Sequence, residues 1–174
     1  MHGVRRELVE AQAESLGLPL WTVPLPWPCS NEQYEARMQA LCARAIAEGV
    51  GAMAFGDLFL TEIRAYREKQ LAGSGLEPIF PVWGVPTAEL ARTMIGSGLK
   101  AKIACIDPKV LDSGFAGLDF DAKMLQKLPV SVDFCGENGE FHTFVYAGPG
   151  FRKSIPITVG AVVERDGFVF ADLV

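Results

Sequence analysis

Val50-Gly51-Ala52-Met53-Ala54-Phe55-Gly56-Asp57 is the stretch on which the reading of the fold turns. Six mainly apolar residues run without alternation and stop at Gly-Asp, the pattern of a strand buried on both faces. Before it, Ser30-Asn31-Glu32-Gln33 places Ser at an N-cap and Gln at N3. That capping box predicts a helix reaching about Glu48, with Gly49 as its stop. After it, a helix is expected over Leu60 to Leu71, ended by Gly73 and Gly75, then a strand from Pro78 to Trp83. Thr87 can cap a further helix through Ile95. Further upstream, Val4 to Leu16 reads as a helix closed by Gly17, followed by a short buried strand from Leu18 to Val23. Alternating helices and strands predict an α/β fold with a parallel sheet and helices on its faces.

The texture changes near Gly98, where the expected domain boundary falls, giving residues 1–98 and 99–174. Leu99 to Ile106 suits a strand, Asp107-Pro108 the start of a short helix, and Asp121 to Leu128 another helix. From Val130 the chain reads as strands over Phe141–Tyr146, Ser154–Val159, Val162–Glu164 and Phe168–Leu173. Asp166-Gly167 predicts a type I′ hairpin between the last two. This second part is a smaller α+β domain.

The 174 residues are 49% hydrophobic and 21% charged, with a net charge of −5. A core is affordable without metal or disulfides. Lys and Arg are nowhere clustered, which argues against nucleic acid as a partner. No apolar run approaches the roughly 20 residues that span a bilayer. The cysteines (Cys29, Cys42, Cys105, Cys135) lack the close spacing of zinc knuckles or redox dithiols, so reduced thiols in a cytoplasm are expected.

The densest polar segment is Cys135-Gly136-Glu137-Asn138-Gly139-Glu140-Phe141-His142-Thr143. Gly136 and Gly139 permit a sharp turn and close approach to a ligand. Glu137, Glu140, His142 and Thr143 then offer two carboxylates, an imidazole and a hydroxyl. On a strand beginning near Glu140, Glu140 and His142 would share a face. The plainer reading is a hairpin loop with solvated acids and a core histidine. A metal module of Glu137, Glu140 and His142 lacks a fourth ligand, so no metal site is expected. Gly56 and Asp57 follow an apolar strand, where α/β sheets bind ligands, although Asp57 could simply cap the next helix. Arg64 and Glu68 read as an i,i+4 salt bridge. Trp21, Trp27 and Trp83 read as core or loop packing.

These residues resemble a known family. His2-Gly3-Val4-Arg5-Arg6, Gln12-Ala13, Leu16 to Leu20, Phe55-Gly56-Asp57 with Arg64, and Pro81-Val82-Trp83 are similar to the diphthine–ammonia ligase family of ATP pyrophosphatases. Gly136 to Val145 carries the most specific match, continued by Phe151 after Gly148-Pro149. The resemblance covers essentially the whole chain, and Leu20 to Arg37 looks like the bacterial branch, adenine nucleotide alpha hydrolase-like proteins. It implies a Rossmann-like HUP domain and a smaller α+β domain completing the substrate site. It further implies ATP with Mg²⁺, and a carboxylate substrate, small or carried on a protein, that is adenylated with loss of pyrophosphate before ammonia displaces AMP. In the family's best-studied case the substrate is diphthine on elongation factor 2. Gly56 and Asp57 would border the nucleotide. Glu137, Glu140 and His142 would be catalytic, with Gly136, Asn138, Gly139 and Thr143 binding substrate.

The chain departs from the family pattern at Leu118, where relatives carry Arg, at Phe134, where they carry Pro, and at Gly150. The Ser-Gly-Gly-x-Asp-Ser pyrophosphate loop expected upstream of His2 is not in this sequence. The expectations that follow are a HUP sheet truncated at its N-terminal side, self-association, and ATP binding no tighter than about 1 mM, roughly −4 kcal/mol. The alternative is a catalytically inactive remnant or binding protein.

Overall fold

The computed structural model describes residues 3–174, so His2 lies outside the described residues. Along the chain the elements are α1 (Arg6–Leu16), α2 (Asn31–Ala47), β1 (Ala52–Ala54), α3 (Thr61–Leu71), β2 (Glu77–Ile79), α4 (Thr87–Gly96), β3 (Lys100–Ile106), α5 (Ala122–Lys127), β4 (Phe141–Ala147), β5 (Val159–Arg165) and β6 (Phe168–Leu173). They form a mixed α/β structure with a parallel two-stranded sheet, β1-β2, and an antiparallel four-stranded sheet, β4-β3-β6-β5. The long parallel sheet expected from the helix–strand rhythm is therefore confined to two short strands. No helix among the described residues is long and apolar enough to cross a membrane.

Two compact units result: residues 21–85, and residues 1–20 joined with 86–174. A boundary at Gly98 would cut α4 from the sheet it covers. Ala91, Met94 and Ile95 of α4 pack in one cluster with Ile103, Ile106 and Phe141 of the antiparallel sheet. Helix α1 joins the same unit, because Leu8 packs with Ala104, Phe144, Ala171 and Leu173 on the other face. With helices on both faces, β3 is buried along nearly its whole length, which explains its run of apolar residues. A register shift between Ile103 and Cys105 inserts one extra residue. That bulge returns Ile106 to the cluster holding Ile103, which strict alternation would forbid.

In the other unit, α2 and α3 pack Cys42, Ala45 and Leu71 with Leu76 and, from β1 and just beyond it, the half-buried Met53 and Phe55. Helix α2 begins as expected. The Ser30 hydroxyl accepts the Gln33 N–H at 3.2 Å, and the Gln33 side chain accepts the Ser30 N–H at 3.1 Å. Gly17 closes α1 at φ 68°, and Asp166 and Gly167 both hold positive φ in the β5–β6 turn. Asp121 caps α5 by accepting the Met124 N–H at 2.8 Å.

Other expectations give way. Leu18 to Val23 is not a strand; Leu18 and Leu20 are exposed, and Pro19 and Pro24 remove the donors a ladder would need. Asp107-Pro108 opens a turn rather than a helix: the Asp107 carbonyl accepts from Val110 and Leu111, and the chain then buries Leu111 instead of continuing. Ser154 to Thr158 stays irregular around Pro156, and β5 starts only at Val159. Thr87 is the first residue of α4, with Pro86 at the cap position. Trp27 is exposed, not packed.

Candidate functional site

The segment between Val132 and β4 folds around two carboxylates. Glu140 is 5% exposed. Its Oε1 accepts the Asp133 N–H at 3.0 Å and the Asn138 Nδ2–H at 2.9 Å, and its Oε2 accepts the Asn138 N–H at 2.9 Å. Asp133 works from the other side, its Oδ1 accepting the N–H groups of Cys135 at 2.9 Å and Glu137 at 3.2 Å. Gly136 donates to the Asp133 carbonyl and Gly139 to the Gly136 carbonyl. The N–H groups of residues 133 and 135 to 139, Phe134 apart, are thus turned inward, and the loop offers no nest of amides to an anion. Asn138 is exposed and Glu137 half-buried on its outer side. Buried Gly136 holds φ 70°, and a Cβ there would stand 2.5 Å from the Phe141 carbonyl oxygen.

The loop brings together Gly136, Glu137, Asn138, Gly139 and Glu140. It does not gather His142 and Thr143 on one side. His142 faces with Phe144 toward the α1 cluster, and Thr143 faces with Phe141 and Val145 toward the α4 cluster, because successive strand residues alternate. Glu140 differs from a solvated loop acid: three N–H donors converge on it, which is the work of a buried template. Asp133 is not singled out by the sequence, and Thr87 is expected there only as a helix cap. The Asp133-Phe134-Cys135 spacing is the one local sign of the first, since Asp commonly accepts the N–H two residues on.

Cys135 lies in the same loop and donates its Sγ–H to the Thr87 carbonyl at 3.4 Å. Burial pushes its thiol from 9 up to about 11, helped by the charges of Asp133 and Glu137. The neutral thiol is favoured in the folded protein, so this contribution to stability is complete below pH 9. It is lost between 9 and about 11, as the unfolded chain ionises first. In a variant keeping only Cys135, ultraviolet thiolate absorbance should rise near pH 11. A midpoint at the ordinary value of 9 would show the thiol to be solvated.

In the unit of residues 21–85, Gly56 and Asp57 stand just past the carboxyl end of β1. Asp57 does not cap α3, whose cap position is Leu60 with no side-chain bond. Its carboxylate lies 3.8 Å from Arg67 Nε, and Asp57 Oδ2 and Arg67 Nε are both buried without a hydrogen-bond partner. Arg67 stacks on Phe55 at 5.1 Å. Arg67 and Phe55 line a cavity of about 280 Å³ with Tyr34, Cys42, Met53 and Tyr66, and Asp57 is not among its lining residues. Mg²⁺ finds one carboxylate here, and no metal-holding group of three His, Cys, Asp or Glu exists among the described residues. Arg64 makes the expected bond to Glu68, at 2.8 Å, and also stacks on Phe80 and Trp83 at 4.7 and 4.8 Å.

The architecture is thus a mixed α/β chain with a carboxylate-templated Gly-Glu-Asn-Gly-Glu loop at the head of β4. Residues 86–169, which contain that loop, match the family model for the diphthamide synthase C-terminal domain. Diphthine–ammonia ligase of Bos taurus is 26% identical over 183 residues, covering 97% of this chain and 68% of that protein. The Danio rerio enzyme of the same name is 27% identical, with 97% and 72% covered. The Schizosaccharomyces pombe protein is 25% identical, with 93% and 29% covered. Over nearly its whole length the chain is thus similar to proteins named diphthine–ammonia ligase.

Proposed function

We propose that this protein is an ATP-dependent amide ligase that forms AMP and pyrophosphate while joining ammonia to a carboxylate. The observation carrying the reading is the templated Gly136–Glu140 loop inside the region similar to the diphthamide synthase domain. The curated relatives are named for diphthine and ammonia, and that chemistry is the first to test. ATP, bound with Mg²⁺, would activate the carboxylate carbon by transfer of AMP to its oxygen, pyrophosphate leaving. Ammonia would then attack that carbon, losing a proton and expelling AMP.

The chain's own residues would divide this work. Asp57 and Arg67 would meet the nucleotide with their unmatched acceptor and donor, beside Gly56. The parallel β1-β2 pair flanked by α2 and α3 supports reading that unit as part of a Rossmann-like HUP domain. The loop turns its amide donors inward, and Glu137 and Asn138 would supply acceptors at its surface. Acceptors suit a nitrogen nucleophile entering as ammonium better than they suit a phosphate. Glu137 or His142 would take the ammonium proton, Thr143 would contact the substrate, and Glu140 would hold Asn138. The reading places the protein in the cytoplasm, able to self-associate.

The test supplies the full-length gene product with Mg-ATP, ammonium chloride and a diphthine-bearing protein, then with other carboxylates. AMP and pyrophosphate should appear in equal amounts and depend on both the carboxylate and ammonium. ATP breakdown indifferent to ammonium would refute the ligase, and binding without turnover would favour the inactive-relative reading.

A further inference from the structure

A contact far apart in sequence fixes the loop to the rest of its unit. Thr87, at the first turn of α4, donates its hydroxyl to Asp133 Oδ2 at 2.5 Å, across 46 residues of chain. The Thr87 carbonyl also accepts from Cys135 Sγ at 3.4 Å. The second oxygen of the same Asp133 carboxylate holds the N–H groups of Cys135 and Glu137. One carboxylate therefore spans helix and loop, and α4 is itself anchored under the sheet through fully buried Ala91. Glu140 ties the loop to β4, whereas Asp133 and, through a weaker thiol bond, Cys135 tie it to Thr87 of α4.

We propose, resting on the ligase reading above, that the Thr87–Asp133 clasp sets the position of Glu137 and Asn138 for the ammonium donor, both clasp residues being positioning residues. A hydrogen bond to a charged acceptor is short and directional, so it fixes the loop more tightly than apolar packing would. Without it, Asp133 can swing, and the Cys135 and Glu137 amides lose a fixed acceptor together. Thr87 and Asp133 spend their side chains on each other and on the loop amides, so the consequence falls on binding through Glu137 and Asn138.

Thr87→Val keeps the shape of the side chain and removes the hydroxyl; Thr87→Ser keeps the hydroxyl. In full-length Thr87→Val protein, amide exchange at Cys135 and Glu137 should quicken at least about tenfold, and KM for ammonium should rise about tenfold with kcat held within about twofold. Thr87→Ser should restore both. Unchanged exchange overturns the clasp, and faster exchange with unchanged KM overturns its part in the reaction. An unmodified protein that forms no AMP overturns the ligase reading, and the positioning role with it. An unmodified protein that forms AMP, beside a Thr87→Val variant of unchanged KM, overturns the positioning role alone.

Discussion

Glu140→Ala should unfold the unit that contains it at a much lower temperature than the parent protein. The carboxylate is 5% exposed and receives two backbone N–H groups and the Asn138 side-chain amide. Alanine leaves those donors without an acceptor in a place water reaches poorly. Each orphaned donor of this kind costs about 1–3 kcal/mol, so a loss of about 3–4 kcal/mol is expected for the group. For a unit of this size that corresponds to a melting temperature lower by at least about 10 °C. Glu140→Gln should fall between, since its amide keeps one acceptor oxygen but turns an N–H against a backbone N–H. Calorimetry decides the matter. A melting temperature within about 2 °C of the parent, with AMP formation lost, would return Glu140 to a purely chemical role. The catalytic role that the resemblance implies for Glu140 would give that second pattern, since spacing shows a carboxylate near His142 but not what surrounds it.

The second large effect is expected at Gly136. Its φ of 70° is a backbone state that side chains disfavour, and an added Cβ would stand 2.5 Å from the Phe141 carbonyl oxygen. Backbone cannot step aside as a flexible side chain can, and Phe141 is 1% exposed at the start of β4. Gly136→Ala must therefore displace the loop from the strand, dragging the Glu140 hydrogen bonds with it. The left-handed conformation alone costs about 1–2 kcal/mol, and the collision should bring the total to about 3 kcal/mol or more. Gly139→Ala is the internal control: its φ is 87°, but nothing lies within 4 Å of the added carbon. Only the conformational cost of about 1 kcal/mol should appear there. Urea unfolding of the two variants measures the difference. Equal losses would mean that the Phe141 carbonyl yields easily, and that the loop is not braced against β4.

What the sequence by itself determined is what short-range geometry controls. Ser30 with Gln33, Gly17 and the Asp166-Gly167 pair each act over a few residues, and each stands in the structure as its spacing required. The strand that carries His142 and Thr143 was also legible, although the two residues were grouped in one site and alternation sets them on opposite faces. The resemblance was legible in the Gly136–Val145 motif, which lies inside the region matching the family model. The tertiary structure decided the rest. Leu18 to Val23 looks like a strand by composition, but a strand exists only where a partner supplies the opposite ladder, and none pairs with it here. The extent of the C-terminal unit depended on which helices cover the antiparallel sheet, and α1 and α4 do so from outside the expected boundary. The loop's clasp required Thr87 and Asp133 to meet across 46 residues. Polar groups at such separation carry no period and no fixed spacing, so only the packing of α4 against the sheet brings them within hydrogen-bond reach.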